Sequence, residues 1–231
     1  MVIALALALL PEPSPVSLEK GAVLGVPVSS IKVNLKSARV GLILADGFPG
    51  TDQDFASMIR KHQPLVAVNG AYFSKETLLP IGDLVLNGQL VHSGRMGTAL
   101  TFGEEGKPDI QRVVRHKTMR WEGFRTVLAC GPALILDGKV DVDFASEGFR
   151  DPHVTGSAQR MAVGYTVDNR LIIAHIRKAV TFSEEAKIMR ELGCFEAMNL
   201  DAGASLAMHF DGKTVTKPGR KLTNLLAVWS D

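Results

Sequence analysis

Polar residues stand beside glycine or other small residues where several apolar runs of the sequence meet turns. They are Asn69, Arg160, Asp201 and Ser205. An asparagine amide offers both a donor and an acceptor to a sugar hydroxyl, and a guanidinium can hold a phosphate by two-point contact. Asp201 and Ser205 enclose three small residues, so a ligand could lie close to the backbone there. The plainer interpretations are a turn asparagine, a surface arginine and a tight turn between two strands.

Histidines and carboxylates offer further acid–base groups. His92, His153, His175 and His209 are widely separated and show no spacing typical of a metal site, so we expect neither a catalytic metal nor a cofactor. His153 lies in a loop before Arg160 and is a candidate general acid or base; the alternative is a solvated loop histidine. Asp151 and Glu147 share that loop and are candidates for a second carboxylate.

Two helices must position these residues. The first is predicted over residues 52–62, after Thr51. The second is predicted over residues 182–192, where Thr181 and Glu184 form a capping box and Gly193 ends the helix. Each helix leads into an apolar run that ends at a polar residue beside small ones, which is a common setting for binding residues.

Short apolar segments separated by turn dipeptides indicate that most of the remaining chain is β-structure. Hairpins are predicted at residues 87–88, 137–138, 168–169 and 211–212. We predict strands over residues 39–45, 65–69, 84–86, 89–92, 98–102, 126–129, 133–136, 161–167, 171–176, 206–210 and 225–229. The expected fold is a single α+β domain, with a mixed β-sheet built largely from hairpins and two main helices.

The first residues, MVIALALALL followed by PEPSP, resemble the apolar core of a signal peptide and a flexible stretch after it. We expect residues 1–18 to be a leader or flexible segment outside the core, residues 19–231 to form the domain, and the protein to be exported to the periplasm or secreted. The alternative is that the run forms a buried first strand. It is shorter than the roughly 20 residues of a membrane span.

The charge and cysteine content narrow the function classes. A net charge of +2 over 231 residues gives no support for nucleic-acid binding. A basic run over residues 112–120 is interpreted as a solvated face or hairpin, and the alternative is that it attracts an anionic substrate. Cys130 and Cys194 lie in apolar contexts, which favours two buried thiols over a disulfide. The sequence indicates no oligomeric state.

Five segments in this order resemble the phosphodiester glycosidase family over residues 35–231. They are NGAYFS, CGPALILDGKV, RMAVGYTVDNRL, TFSEEAKIMRELG and NLDAGASLAMHFDGK. Each motif is weak by itself, and the ordered set is more specific. The resemblance implies a hydrolase that cleaves a glycosidic phosphodiester or a related cell-surface glycan bond, and some bacterial members are exported proteins linked to exopolysaccharide.

The resemblance also assigns roles to residues. Asp201 would lie near the anomeric carbon and stabilise an oxocarbenium-like state, and Arg160 would neutralise the departing phosphate. Asn69 would orient the sugar. His153, a candidate from its loop position rather than from the resemblance, completes the proposed catalytic set. The implied substrate-binding residues are Gly70, Tyr72, Gly131, Gly203 and Ser205.

The sequence departs from the family pattern near these residues. Ala71, Ala202 and Ala204 replace glycines, and Leu206 replaces a serine or threonine. A methyl group costs about 1 kcal/mol where φ must be positive, and it narrows the space beside a ligand. An alternative function is therefore a non-catalytic glycan-binding or envelope-assembly protein with the same fold. An ordinary acid-dyad glycosidase would require a second carboxylate within about 5–10 Å of Asp201.

Overall fold

A computed structural model describes residues 14–113 and 117–231 as one α+β domain, which confirms the predicted fold class. The helices are α1 (Phe55–His62), α2 (Pro152–Thr155) and α3 (Phe182–Glu191), and Gly203–Ser205 form a 3-10 turn. The strands are β1 (Val16–Val23), β2 (Val26–Asn34), β3 (Ala38–Leu44), β4 (Val66–Asn69), β5 (Leu84–Leu86), β6 (Gln89–His92), β7 (Thr98–Gly103), β8 (Pro108–Arg112), β9 (Phe124–Ala129), β10 (Ala133–Leu136), β11 (Lys139–Val140), β12 (Ala158–Tyr165), β13 (Arg170–Val180), β14 (Glu196–Asn199), β15 (Met208–Phe210), β16 (Lys213–Thr216) and β17 (Asn224–Ser230).

The strands form three sheets rather than one. Their orders are β1-β2-β13-β12-β14-β10-β11, β16-β15-β4-β17-β3 and β6-β5-β9-β7-β8. A mixed sheet was predicted, but every strand pair within the described sheets is antiparallel. The four predicted hairpins are present as β5–β6, β10–β11, β12–β13 and β15–β16.

One apolar core joins the three sheets. Ile31 and Val163 enter it from the first sheet, Val68 from the second, and Leu100 and Leu128 from the third. All five are fully buried. Because the second and third sheets pack against the same core as the first, the turns at the ends of β4 and β14 are held in fixed relative positions.

Each long helix covers one sheet. Phe55 and Met58 of α1 pack with β-strand residues of the second sheet, and Ala186 and Met189 of α3 pack against the first. The capping box predicted for α3 is present: Glu184 N donates to Thr181 Oγ1 (3.3 Å), and Thr181 N donates to a Glu184 carboxylate oxygen (2.8 Å). The α1 prediction began three residues too early, because Asp54 is extended and serves as the N-cap.

The N-terminal part contains structure that the sequence analysis did not predict. Strands β1 and β2 pair along their whole length, and β2 joins β13 in the first sheet. Val16 is 5% exposed within the main core, so the packed domain begins before residue 18. The whole apolar run of the predicted leader, residues 1–10, lies outside the described residues.

Two smaller expectations concern charge and thiols. Arg112 of the basic run pairs with Asp141 at 3.0 Å, while Arg115 and His116 lie outside the described residues. Cys130 and Cys194 are both free and buried, as predicted. Burial raises the pKa of Cys194 to about 12, so this thiol remains protonated at neutral pH.

The capping box makes a stability prediction. We expect Thr181→Ala to lower the free energy of unfolding by about 1 kcal/mol, because it removes the side-chain acceptor of the first turn of α3. Urea denaturation monitored by circular dichroism measures this. Ser183→Ala, at an exposed position of the same turn, is the control and should change stability by less than about 0.5 kcal/mol. Equal effects of the two substitutions would contradict a capping role.

Candidate functional site

A cleft of about 890 Å³ lies over the turn that follows β14. It brings together five of the nine predicted site residues: Tyr72, His153, Arg160, Asp201 and Gly203. The other four, Asn69, Gly70, Gly131 and Ser205, are not among the residues that line the cleft.

Asp201 is the buried carboxylate of this cleft, with 4% of the residue exposed. Its backbone N–H donates to the Gly70 carbonyl (3.1 Å), and its Oδ1 accepts from the Ala202 N–H (2.7 Å). Its Oδ2 accepts from Arg220 Nη2 at 3.0 Å. Burial raises the pKa of Asp201, and the Ser205 hydroxyl, the Arg220 charge and the Ala202 N–H oppose that rise.

Arg220 is a site residue that the sequence analysis missed. Its Nε donates to Ser205 Oγ (2.7 Å), and its guanidinium lies 4.4 Å from the centre of the Phe73 ring. It belongs to the loop between β16 and β17, where a lysine- and arginine-rich turn is ordinary in a soluble protein. No local sequence signal separates Arg220 from its neighbours, because its importance comes from contacts with distant residues.

Asn69 is buried beneath the cleft, where it holds the Asp201 turn in place and does not contact a bound sugar. It is 1% exposed, its Nδ2 donates to the Asp201 carbonyl (2.5 Å), and its Oδ1 accepts from the Ala207 N–H (3.0 Å). The amide therefore joins the two ends of the 201–207 segment. This placement differs from the prediction that Asn69 faces the pocket, because both ends of the amide are already bonded to protein.

Gly70 also acts through the backbone. A Cβ at this position would overlap the Asn224 carboxamide oxygen, which accepts the Ala71 N–H at 2.7 Å. The close approach lets the Gly70 carbonyl reach the Asp201 N–H. Gly70 therefore allows the β4 end, β17 and the Asp201 turn to meet, and Asn224 is a second residue that sequence analysis missed.

Tyr72 lies at the edge of the cleft with 9% of its surface exposed. Its hydroxyl accepts a hydrogen bond from Asn199 Nδ2 (2.7 Å), and its ring packs 5.9 Å from that of Phe149. Burial raises the pKa of Tyr72 well above its usual value, so the phenol stays neutral and is suited to hydrogen bonding. Asn199, the last residue of β14, positions it.

Arg160 is placed differently from the phosphate ligand that was predicted. It is 1% exposed, and its guanidinium donates to the carbonyls of Val154 (3.0 Å), Gly156 and Val180. Glu185, fully buried, lies 3.9 Å from Nε. These contacts use the donors of Arg160 to hold α2 against β12 and α3, so little of the side chain is free for a ligand.

Glu185 carries the second perturbed carboxyl group near the cleft. Burial raises the pKa of Glu185 to about 8, although the Arg160 charge opposes the rise. Neither of its carboxylate oxygens has a hydrogen-bond partner among the described residues. Its shifted pKa reflects desolvation in the core, where a carboxyl group without donors favours the neutral form.

His153 lies on the short helix α2 at the rim of the cleft and is exposed. Its backbone N–H donates to the Asp151 carboxylate at 2.9 Å, which caps the helix. Asp151 lines the same cleft, whereas Glu147 is buried and accepts from Thr98 Oγ1 (2.7 Å) and the Ala133 N–H (3.0 Å). Of the two candidate second carboxylates, only Asp151 faces the cleft.

The backbone conformations of the glycines and alanines near the site show whether the departures from the family pattern cause strain. Gly203 has φ +62° and borders open space, and Gly131 has φ +74°, where an added Cβ would lie only 2.6 Å from Thr98 N. Ala71, Ala202 and Ala204 are not among the residues with positive φ. The expected strain of about 1 kcal/mol at these alanines is therefore absent, since their backbones occupy regions open to any residue.

Across residues 14–113 and 117–231, no group of three or more histidine, cysteine or acidic side chains is arranged to hold a metal ion. No helix in the same residues has the length and apolar content needed to cross a membrane.

The ion pair in the cleft makes an electrostatic prediction. We expect Arg220→Gln to raise the pKa of Asp201 further, because it removes the positive charge and the N–H that favour the carboxylate. Carbon-13 NMR titration of the aspartate carboxyl groups measures this. Lys221→Gln removes an equal charge from the cleft wall without touching Asp201 and should shift the pKa less. A larger shift in the lysine variant would contradict the assigned pair.

Three solved structures share this fold. A hypothetical protein from Synechocystis matches with a TM-score of 0.76 and 15% identity over 93% of this chain, which spans 61% of that protein. The zebrafish N-acetylglucosamine-1-phosphodiester alpha-N-acetylglucosaminidase catalytic domain, auto-inhibited by its pro-peptide, matches with a TM-score of 0.74 and 16% identity over 94% of this chain and 82% of its own. A Burkholderia pseudomallei protein described as a "putative exported protein" has a TM-score of 0.62 and 14% identity, over 89% of this chain and 74% of its own.

At identities of 14–16%, these TM-scores establish a shared fold and nothing more. A comparison with curated proteins gave no match. The family model described as phosphodiester glycosidase matches residues 62–229, which include both the Asp201 turn and Arg220. The family resemblance of the sequence motifs is thereby confirmed, and this chain belongs to the phosphodiester glycosidase family.

Proposed function

We propose that this protein is an exported hydrolase that cleaves a glycosidic phosphodiester, that is, the bond between a sugar anomeric carbon and a phosphate diester oxygen. The observation that carries the proposal is the Asp201–Arg220 pair in the cleft, with 3.0 Å between Oδ2 and Nη2. Breaking this bond separates a positively charged sugar from a negatively charged phosphate. A carboxylate beside a guanidinium offers a charge of the right sign to each fragment.

Asp201 supplies the negative charge. As the anomeric carbon–oxygen bond breaks, the sugar becomes oxocarbenium-like, and a carboxylate on that face stabilises it as nucleophile or counter-charge. Asp201 is held by four hydrogen bonds. Its backbone bonds with Gly70 and Asn69, and its two carboxylate oxygens accept from Ala202 and Arg220. Little rearrangement is therefore required when the charge develops.

Arg220 takes the phosphate-binding role that sequence analysis gave to Arg160. Its Nε and Nη2 are occupied by Ser205 and Asp201, and Nη1 has no hydrogen-bond partner among the described residues. Nη1 is therefore available to a phosphate oxygen. The phosphate leaves with the bonding electron pair, and a water oxygen then bonds to the anomeric carbon.

His153 is the proposed proton acceptor for that water, because it is the histidine lining the cleft. Tyr72 and the backbone around Gly203 would contact the sugar, since both border the cleft. The small side chains of Ala202 and Ala204 leave room for a sugar ring beside the 3-10 turn. Asn69 and Gly70 would affect catalysis only through the position of Asp201.

Replacing the carboxylate tests the reaction. We expect Asp201→Asn to lower kcat/KM for a methyl or nitrophenyl diester of a sugar 1-phosphate by at least about 100-fold, because the neutral amide cannot stabilise the cationic sugar. The measurement is release of free sugar, beginning with N-acetylglucosamine 1-phosphodiesters because a structural relative is named for that activity. The variant should still fold, since the amide oxygen can accept the Ala202 N–H, but it should be somewhat less stable because the amide nitrogen then faces the Arg220 donor.

The control and the competing functions use the same assay. Asp52→Asn, at another acid of the cleft wall, should retain most of the activity. An Asp201→Asn protein with full activity would reject the mechanism. Wild-type protein that binds sugar phosphates without turnover would indicate a non-catalytic glycan-binding protein, and preferential cleavage of uncharged glycosides would indicate an ordinary glycosidase using Asp151 as a second carboxylate.

Export is proposed from two observations. The apolar run and the prolines after it resemble a signal peptide, and one structural relative carries an exported-protein description. We expect the exported protein to begin after the apolar run, which N-terminal sequencing of protein recovered from the periplasm or the medium measures. Exported protein that retains Met1 would contradict removal of the leader.

A further inference from the structure

A second groove of about 600 Å³ adjoins the catalytic cleft. Its walls are the start of α1 and the loop between β16 and β17, and it shares Arg220 and Lys221 with the cleft. We call it the basic groove. Phe55 and Pro218 contribute apolar surface to it.

The basic groove carries unbalanced positive charge. Arg60, Lys217 and Lys221 are exposed in its walls, and none of the three forms an ion pair with any described residue. Asp54 is the only acid in these walls. Arg220 adds little net charge here because Asp201 already opposes it. The fold therefore places three cations that form no ion pair and one acid, Asp54, on one small concave surface, which leaves a net positive charge there.

The neighbouring cleft has a different charge pattern. Its walls contain the acids Asp52, Glu76, Asp151 and Asp201 and the bases Lys75, Arg160, Arg220 and Lys221. Opposite charges are thus equal in number in the cleft and unequal in the groove. A ligand that spans the cleft and the basic groove therefore meets excess positive charge only in the basic groove.

The loop that carries these charges is fixed at both ends. Gly219 N–H donates to the Ala204 carbonyl (2.8 Å), beside the Asp201 turn. Leu222 and Gln53 exchange two backbone hydrogen bonds, of 2.9 and 3.0 Å. Lys217 and Lys221 therefore stand on backbone that is tied to the catalytic turn, so that the groove and the cleft keep a constant relative position.

We propose that the basic groove binds a further phosphate on the leaving-group side of the substrate, so that the preferred substrate is a chain with repeating phosphodiesters rather than a small sugar-1-phosphate diester. This inference rests on the proposed function. Arg220 contacts the scissile phosphate and separates the two spaces, so the chain beyond that phosphate enters the groove. Lysine side chains bind phosphates as point charges, and their flexible stems tolerate different chain geometries.

A binding experiment tests the groove without requiring turnover. The probes are glycerol 3-phosphate and a synthetic glycerol phosphate trimer, which contain no sugar, and the measurement is isothermal titration calorimetry at low ionic strength. We expect the trimer to bind wild-type protein about 10-fold or more tightly than the monomer, since each added phosphate meets an unpaired cation at low salt. The Lys217→Gln/Lys221→Gln double variant should lose most of that preference.

Matched variants and probes make the result specific. Lys139→Gln, at an exposed lysine of β11, should keep the preference. Equal affinities for monomer and trimer, or an unchanged preference in the double variant, would overturn the inference. An oligodeoxynucleotide with the same number of phosphates that binds more tightly than the trimer would assign the groove to nucleic acid and overturn it as well.

The outcomes also separate this inference from the proposed reaction. If the protein cleaves small sugar-1-phosphodiesters but shows no trimer preference, the hydrolase function is supported and phosphate binding in the basic groove is rejected. If the protein prefers the trimer but cleaves no sugar-1-phosphodiester, phosphate binding in the basic groove is supported and the hydrolase function is rejected.

Discussion

The placement of one buried carboxylate determines much of the structure around the cleft. Removing a charged Asp201 from water is unfavourable, and the contacts made by Arg220, Ser205 and the Ala202 N–H offset that cost only in part, since burial still raises its pKa. The carboxylate must therefore be held by its backbone as well. Asn69 and Gly70 provide that support, because both bond to the main chain of Asp201.

The two arginines that line the cleft with Asp201, Arg160 and Arg220, have different roles. Arg160 is enclosed by backbone carbonyls and the Phe182 ring, 4.1 Å from its guanidinium carbon, and it fixes the short helix that carries His153. Arg220 is partly exposed, at 26% of its side chain, and contacts the carboxylate directly. Arg160 is more deeply buried and uses more of its N–H donors on protein groups than Arg220, so Arg160 positions other residues and Arg220 can bind a ligand.

The sequence predicts local features well and contacts between distant segments poorly. The Thr181 capping box and the hairpin turns depend on residues within a few positions of one another, and each was found where expected. Asp201 was recognised because an acid beside small residues is locally unusual. The roles of Asn69 and Arg220 were not predictable in this way, because their partners lie 132 and 15–19 residues away and no periodic pattern links them.

Because residues at and just before strand β17 complete the cleft, the cleft can form only after this late part of the chain has been synthesised. Asn224, its first residue, accepts the Ala71 N–H across 153 residues, and Arg220 lies in the loop that leads into the strand. During translation the Asp201 turn leaves the ribosome before either residue, so the carboxylate has no guanidinium partner and Gly70 has no Asn224 to pack against. Contacts of such long separation form late in folding. In a nascent chain the cleft would therefore remain incomplete until the last described strand has joined the second sheet, so the carboxylate and its guanidinium can meet only after nearly all of these residues have been synthesised.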